Sequence, residues 1–184
     1  MHLKYFDYKG IAFVYFITIC SADKQSYFSN DKIAKIVADE MEYRRMNKEI
    51  KLFCYCIMPD HLHILLSLTD DYSRGCSMNS PIGSFGERTL QERTLQERTL
   101  QERTLQERTL QNWVSAFKRY TTRNIKNLFS INLLWQKNFY DHIVRKEESL
   151  LKITEYIINN PVRKDITSRW EEYPYSKLVD PLPL

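Results

Sequence analysis

No C-x-x-C pair, no signal-peptide pattern and no apolar run of membrane length occurs in this sequence. The four cysteines (Cys20, Cys54, Cys56, Cys76) lack disulfide-like spacing. Cys54 and Cys56 would share one strand face, as small core residues rather than zinc ligands. The longest apolar run, Ile11 to Cys20, is far too short to span a bilayer. A reduced, cytoplasmic protein with no membrane partner is expected.

With 184 residues, one domain with a sizeable core is expected. Twelve Tyr, nine Phe and three Trp accompany a net charge of +4. Aromatics build cores, and interleaved with Lys and Arg they also build stacking surfaces for bases. Such interleaving is densest between Asn112 and Lys146. Seven basic residues (Lys118, Arg119, Arg123, Lys126, Lys137, Arg145, Lys146), seven aromatics and one acid, Asp141, fall there. This is the strongest nucleic-acid signal in the composition. For each cation singly, a solvated helix face is the structural alternative.

The pattern of elements points to an α+β protein. Phe13 to Cys20 reads as a buried strand. Ser29 or Asn30 caps a helix that runs to about Asn47. Lys51 to Ile57 is a second strand, Pro59-Asp60 a turn, and His61 to Leu68 a third strand antiparallel to the second. Residues 69–86 read as a loop. ERTLQ then occurs five times in tandem from Glu87 to Gln111. Each unit advances a helix by about 500°, so its leucines spiral and leave no continuous apolar face. A solvated helical extension is expected. The helix continues from Gln111 to Lys126 with Trp113, Val114 and Phe117 inward. Trp135 to Val144 reads as a fourth strand. A last helix opens at Glu147-Glu148 and is stopped by Pro161.

Two stretches carry the chemistry. On the third strand, residues two apart share a face, so His61, His63, Leu65 and Ser67 lie opposite Leu62, Ile64, Leu66 and Leu68, the expected core side. Two neighbouring imidazoles suit one divalent metal. Two partly buried histidines at a strand edge are the plainer alternative. On the last helix, Leu150, Ile153, Ile157 and Ile158 form the core side, while Ser149, Lys152, Tyr156 and Asn160 form a polar stripe.

Taken together, His61-Leu62-His63 after Met58-Pro59-Asp60, Leu134-Trp135-Gln136 with Tyr140 to Arg145, and Tyr156 to Arg163 resemble the single-tyrosine HUH transposases, most closely the REP-associated branch. The resemblance covers the whole of 1–184 as one domain except the block 87–111. It implies a ferredoxin-like βαββαβ antiparallel sheet plus a C-terminal helix carrying the tyrosine. It implies His61, His63 and Asn160 as ligands of Mg²⁺ or Mn²⁺, and Tyr156 as the nucleophile. The implied activity is cleavage and transfer of single-stranded or hairpin DNA through a 5′-phosphotyrosine. Such an ester conserves the bond, so rejoining needs no ATP, and no Walker motif is present. Lys118, Arg119, Arg123, Lys126, Arg145 and Lys152 are the expected DNA contacts. Members of this family act as monomers or homodimers. A metal-dependent hydrolase using water, and a non-catalytic binding protein derived from a transposase, are the rival readings.

Overall fold

A computed structural model of the chain describes residues 13–69, 95–132, 134–144 and 147–183, with the backbone alone at 95–109 and 147–149. Its centre is a five-stranded sheet in the order β4-β1-β3-β2-β5. The strands are β1 (Val14–Cys20), β2 (Ile50–Met58), β3 (His61–Leu68), β4 (Tyr140–Val144) and β5 (Ser176–Leu178). Every pairing is antiparallel. Pro59 and Asp60 close the β2–β3 hairpin, with Met58 opposite His61. The register shifts between Leu52 and Cys54. That irregularity lets Leu52, Tyr55 and Ile57 face one layer while Phe53, Cys54, Cys56 and Met58 face the other.

Helices cover both faces. On one side α1 (Asp31–Met46) and α2 (Leu95–Phe129) lie over Ile17, Ile19, Leu62, Ile64 and Leu66. The side chain of Asn30 caps α1 by accepting from Lys32 N–H at 3.0 Å. The helix then buries Ile33, Ala34, Val37 and Met41. From α2, Leu110, Trp113, Val114, Phe117, Thr121 and Ile125 are buried at helical spacing. Trp135 docks against this stripe, and its Nε1–H donates to Thr121 Oγ1 at 2.8 Å. On the opposite face α3 (Glu147–Ile158) buries Leu150, Ile157 and Ile158 against Val14, Leu65, Cys54 and Cys56. A short helix, α4 (Asn160–Arg163), follows directly, with Pro161 in its first turn.

Several expectations change in detail. The fourth strand is shorter than Trp135 to Val144, because Trp135 makes only an isolated bridge to Ser21. The carbonyls of Gln136, Lys137 and Asn138 turn instead to the Lys118 amine. The face carrying His63, Leu65 and Ser67 is a second core face, buried under α3, and not an open side. Strand β5, which pairs with β2, carries too short a pattern to be read in advance. No helix among the described residues is long and apolar enough to cross a membrane. Cys54 and Cys56 are buried thiols pushed up to about 12 by burial, in keeping with core packing.

The repeat is more than an extension. Residues 87–94 lie outside the described residues, but from Leu95 the helix runs unbroken into the packed segment. Leu110, the last leucine of the block, is 2 % exposed and belongs to the core. Truncating it should cost about 2–5 kcal/mol. Deleting whole copies upstream leaves an equivalent leucine three residues before Trp113. We therefore expect Leu110→Ala to lower the urea midpoint clearly, while removal of two copies leaves it unchanged. Loss of stability on removing copies would show that upstream units also pack.

Candidate active site

The turn at Pro59-Asp60 starts β3, and the pairing with β1 sets Cys20 opposite His61 and Thr18 opposite His63. Directly opposed residues share a face. Thr18, Phe16, His61 and His63 therefore all lie on the α3 side of the sheet. Ile157 and Ile158 anchor α3 to that face, which leaves the neighbouring Tyr156 at its rim, 39 % exposed. Ring centroids are 4.7 Å apart for His61 and His63 and 5.6 Å for His63 and Tyr156. Phe16 completes the group, 5.5 Å from His63 and 6.1 Å from Tyr156. Residues nearly a hundred positions apart in sequence thus form one continuous cluster.

Each imidazole is held through Nδ1. Asp60 Oδ1 lies 2.6 Å from His61 Nδ1, and Thr18 Oγ1 lies 2.8 Å from His63 Nδ1. When Nδ1–H donates in both pairs, each Nε2 keeps its lone pair. Fixing the ring and tautomer in this way is how partners behind a ligating histidine prepare it for a cation. Burial, with the neighbouring His61 as a lesser cause, lowers His63 to about 3. His63 is consequently neutral at physiological pH, the form that binds a metal. Among the described residues no three His, Cys, Asp or Glu side chains cluster to hold an ion. Two imidazole nitrogens supplemented by oxygen donors are a set that suits Mn²⁺ and, less comfortably, Mg²⁺ in general.

Asn160 is buried at the start of α4, one turn beyond Tyr156. Its Nδ2–H donates to the Tyr156 carbonyl at 2.9 Å, so its amide oxygen is the atom left for another partner. Arg163 closes over the tyrosine from α4, its Cζ 4.7 Å from the ring centroid. Neither Thr18 nor Arg163 stood out by residue type. The Thr18 contact depends on strand register, and Arg163 sits in the quoted Tyr156 to Arg163 segment without an assigned role.

The basic residues separate into distinct groups. A shallow groove of about 410 Å³ is lined by Lys118, Arg119, Arg123, Lys126, Lys137 and Trp135, among others. It lies beside the end of β1, where Gln136 N–H donates to Cys20 O at 2.9 Å, the same sheet end at which His61 begins β3. Arg119, Arg123 and Lys126 are exposed. Lys118 differs: its half-buried amine donates to the carbonyls of Gln136, Lys137 and Asn138 at 2.9, 3.2 and 3.1 Å. Burial lowers it to about 8. Its donors organise the loop into β4 and are not free for phosphate. Lys152 is exposed on α3. Arg145 lies outside the described residues.

An uncharacterised protein of Haemophilus influenzae is 29% identical over 176 residues, spanning 88% of this chain and 87% of that protein. A second protein of the same organism, provisionally named a REP-associated tyrosine transposase, is 23% identical over 169 residues, spanning 89% and 78%. The solved structure of a REP-associated tyrosine transposase bound to a REP hairpin superposes with a TM-score of 0.55 at 13% identity. That likeness covers 95% of this chain and 82% of the other. No family profile matches the chain. The chain is similar to REP-associated tyrosine transposases in sequence and shares the fold of one.

Two expectations test this geometry. Asp60→Asn and Thr18→Val should each weaken Mn²⁺ binding by about 10–100-fold, read by calorimetry, with little change in melting temperature. Unchanged affinity in both would show that the Nδ1 partners do not prepare the rings. The second concerns pH in chelator-treated protein. Unfolded histidine titrates near 6.5, whereas folded His63 stays neutral down to about 3. Between those values the unfolded state binds the extra proton, so His63 makes stability fall as pH drops below about 6.5. Urea midpoints should therefore decline less steeply in acid for His63→Gln than for the parent. Equal slopes would contradict the neutral, desolvated histidine.

Proposed function

We propose that this chain is a single-tyrosine HUH transposase of the REP-associated type, acting in the cytoplasm on single-stranded DNA next to a hairpin. The observation that carries the reading is the convergence of Tyr156 with His61 and His63 on one face of the sheet. A sheet running β4-β1-β3-β2, built by strands and helices in the order βαββαβ, supports the ferredoxin-like assignment. The helix after β4 carries the tyrosine.

In this reading Tyr156 Oη attacks a backbone phosphorus. The Oη–P bond forms as the bond from phosphorus to the 3′ oxygen breaks. The phenol loses its proton, and the departing 3′ oxygen gains one. The products are a 5′-phosphotyrosine and a 3′-hydroxyl, and a second 3′-hydroxyl can reverse the step without an energy source. Rejoining to a different end gives strand transfer. His61, His63 and the Asn160 amide oxygen would hold one divalent cation, Mg²⁺ or Mn²⁺, which supplies Lewis-acid polarisation of the phosphate when bound. Asp60 and Thr18 hold the two rings in the ligating tautomer. Phe16 packs against the Tyr156 ring in an edge-to-face contact. Arg119, Arg123 and Lys126 track phosphates, Lys152 adds charge on α3, and the exposed Tyr120 offers ring surface to unpaired bases.

Tyr156→Phe deletes only the hydroxyl, so folding and DNA affinity should remain. The unmutated protein, incubated with Mn²⁺ and hairpin-bearing single-stranded DNA, should yield an adduct stable on a denaturing gel, and the variant should yield none. An adduct in the Tyr156→Phe protein would rule Tyr156 out as the nucleophile. Cleavage without any adduct would favour the water-using hydrolase.

A further inference from the structure

Arg163 is the one guanidinium seen over the Tyr156 ring among the described residues, with Cζ 4.7 Å from the centroid. The side chain is exposed and has no carboxylate partner among the described residues. A guanidinium that contacts an aromatic ring still keeps N–H donors for a further partner. Its N–H groups lie around the perimeter and stay available for planar, bidentate recognition of phosphate.

The backbone that carries Arg163 is fixed relative to Tyr156. Arg163 N–H donates to Asn159 O at 3.0 Å and Lys164 N–H to Asn160 O at 3.1 Å. Pro161 is buried, and the Asn160 side chain ties α4 back to the Tyr156 carbonyl at 2.9 Å. The Tyr156 ring also meets His63 and Phe16 of the sheet. The ring is thus in contact with both the sheet and Arg163 of α4, and Tyr156 and Arg163 are both exposed at that rim. The other cations nearby make no such contact. Lys152 and Lys164 are exposed and carry point charges on flexible stems.

We infer that Arg163 is a catalytic residue of this site: its face clamps the Tyr156 ring, and its edge receives the non-bridging oxygens of the phosphate that Tyr156 attacks. The inference rests on the transposase reading above. A clamp of this kind fixes nucleophile and electrophile with one side chain, so it contributes mainly after the DNA is bound. Its signature is a loss of rate at saturating DNA and not a loss of affinity. It also demands a positive charge, for which the guanidinium fork serves better than an ammonium. A side chain that merely props the ring could be replaced by methionine, which packs on aromatics but carries no charge.

The test is single-turnover adduct formation with Mn²⁺ and a hairpin-bearing single-stranded oligonucleotide, comparing the unmutated protein with Arg163→Lys, Arg163→Met and Arg163→Gln. DNA affinity and melting temperature are measured alongside. We expect Arg163→Gln and Arg163→Met to lose about 100-fold or more in rate at saturating DNA. Arg163→Lys should recover part of that loss, and affinities should stay within a few-fold of the parent. Full rate in Arg163→Met would reduce the residue to a prop and overturn the inference. A loss seen only as weaker DNA binding, or a full rate in Arg163→Gln, would overturn it too. Each of those results leaves the transposase reading intact. Absence of adduct in the unmutated protein would sink that reading, and the inference with it.

Discussion

Strand β3 is buried on both faces and β1 is buried on one and half-buried on the other, and their mutual register decides which side chains can meet. A one-residue slip would send Thr18 and His63 to opposite faces and exchange two complete sets of apolar residues. Such a slip is strongly disfavoured here. Ile17, Ile19, Leu62, Ile64 and Leu66 fill the layer under α1 and α2, while Val14 and Leu65 fill the layer under α3. The aliphatic packing of two layers therefore fixes a polar contact, Thr18 to His63 at 2.8 Å, which is itself too weak to set anything. The histidine pair inherits its geometry from the core.

The same constraint explains why a buried histidine is tolerated. His63 is 5 % exposed, and a charged imidazole in that position would be expensive. Burial keeps it neutral, Thr18 satisfies Nδ1, and the aromatic edges of Phe16 and Tyr156 surround the remainder. Around the same sheet end, Lys118 satisfies three carbonyls that the shortened β4 leaves unpaired. This lets the Trp135 segment leave the ladder and shape a basic groove beside the His61 turn. The groove and the tyrosine thus lie on different layers but meet at one end of the sheet.

Much of this was legible in the sequence, for identifiable reasons. The spacing of two on a strand placed both imidazoles on one face, and the helical spacing from Leu150 to Ile158 set Tyr156 in a polar stripe apart from the core side of its helix. The α+β class and the antiparallel sheet followed from the alternation of apolar patterns. What escaped depends on long-range contact. Leu65 and Ser67 read as an outward face because nothing in β3 announces that α3 will cover it. Leu110 looked like any other leucine of the repeat, and only the continuation of α2 into Trp113 and Phe117 makes it core. Lys118 counted as a free cation because its carbonyl partners lie eighteen to twenty residues away. Arg163 is only seven residues from Tyr156, and its contact with the ring depends on helical hydrogen bonds continuing past Pro161 into α4, where a stop was expected.

The account stands on the claim that one cation and one tyrosine share a phosphate between the sheet and α3. A crystal structure of the Tyr156→Phe protein with Mn²⁺ and hairpin-bearing single-stranded DNA tests that claim most directly, because the DNA stays uncut. The account predicts a single anomalous peak bound by Nε2 of both His61 and His63, with a backbone phosphate lying between it and the ring at position 156. A manganese ion bound elsewhere would contradict it. So would a DNA strand that passes the groove of Arg119 and Arg123 without bringing any phosphate to the histidines.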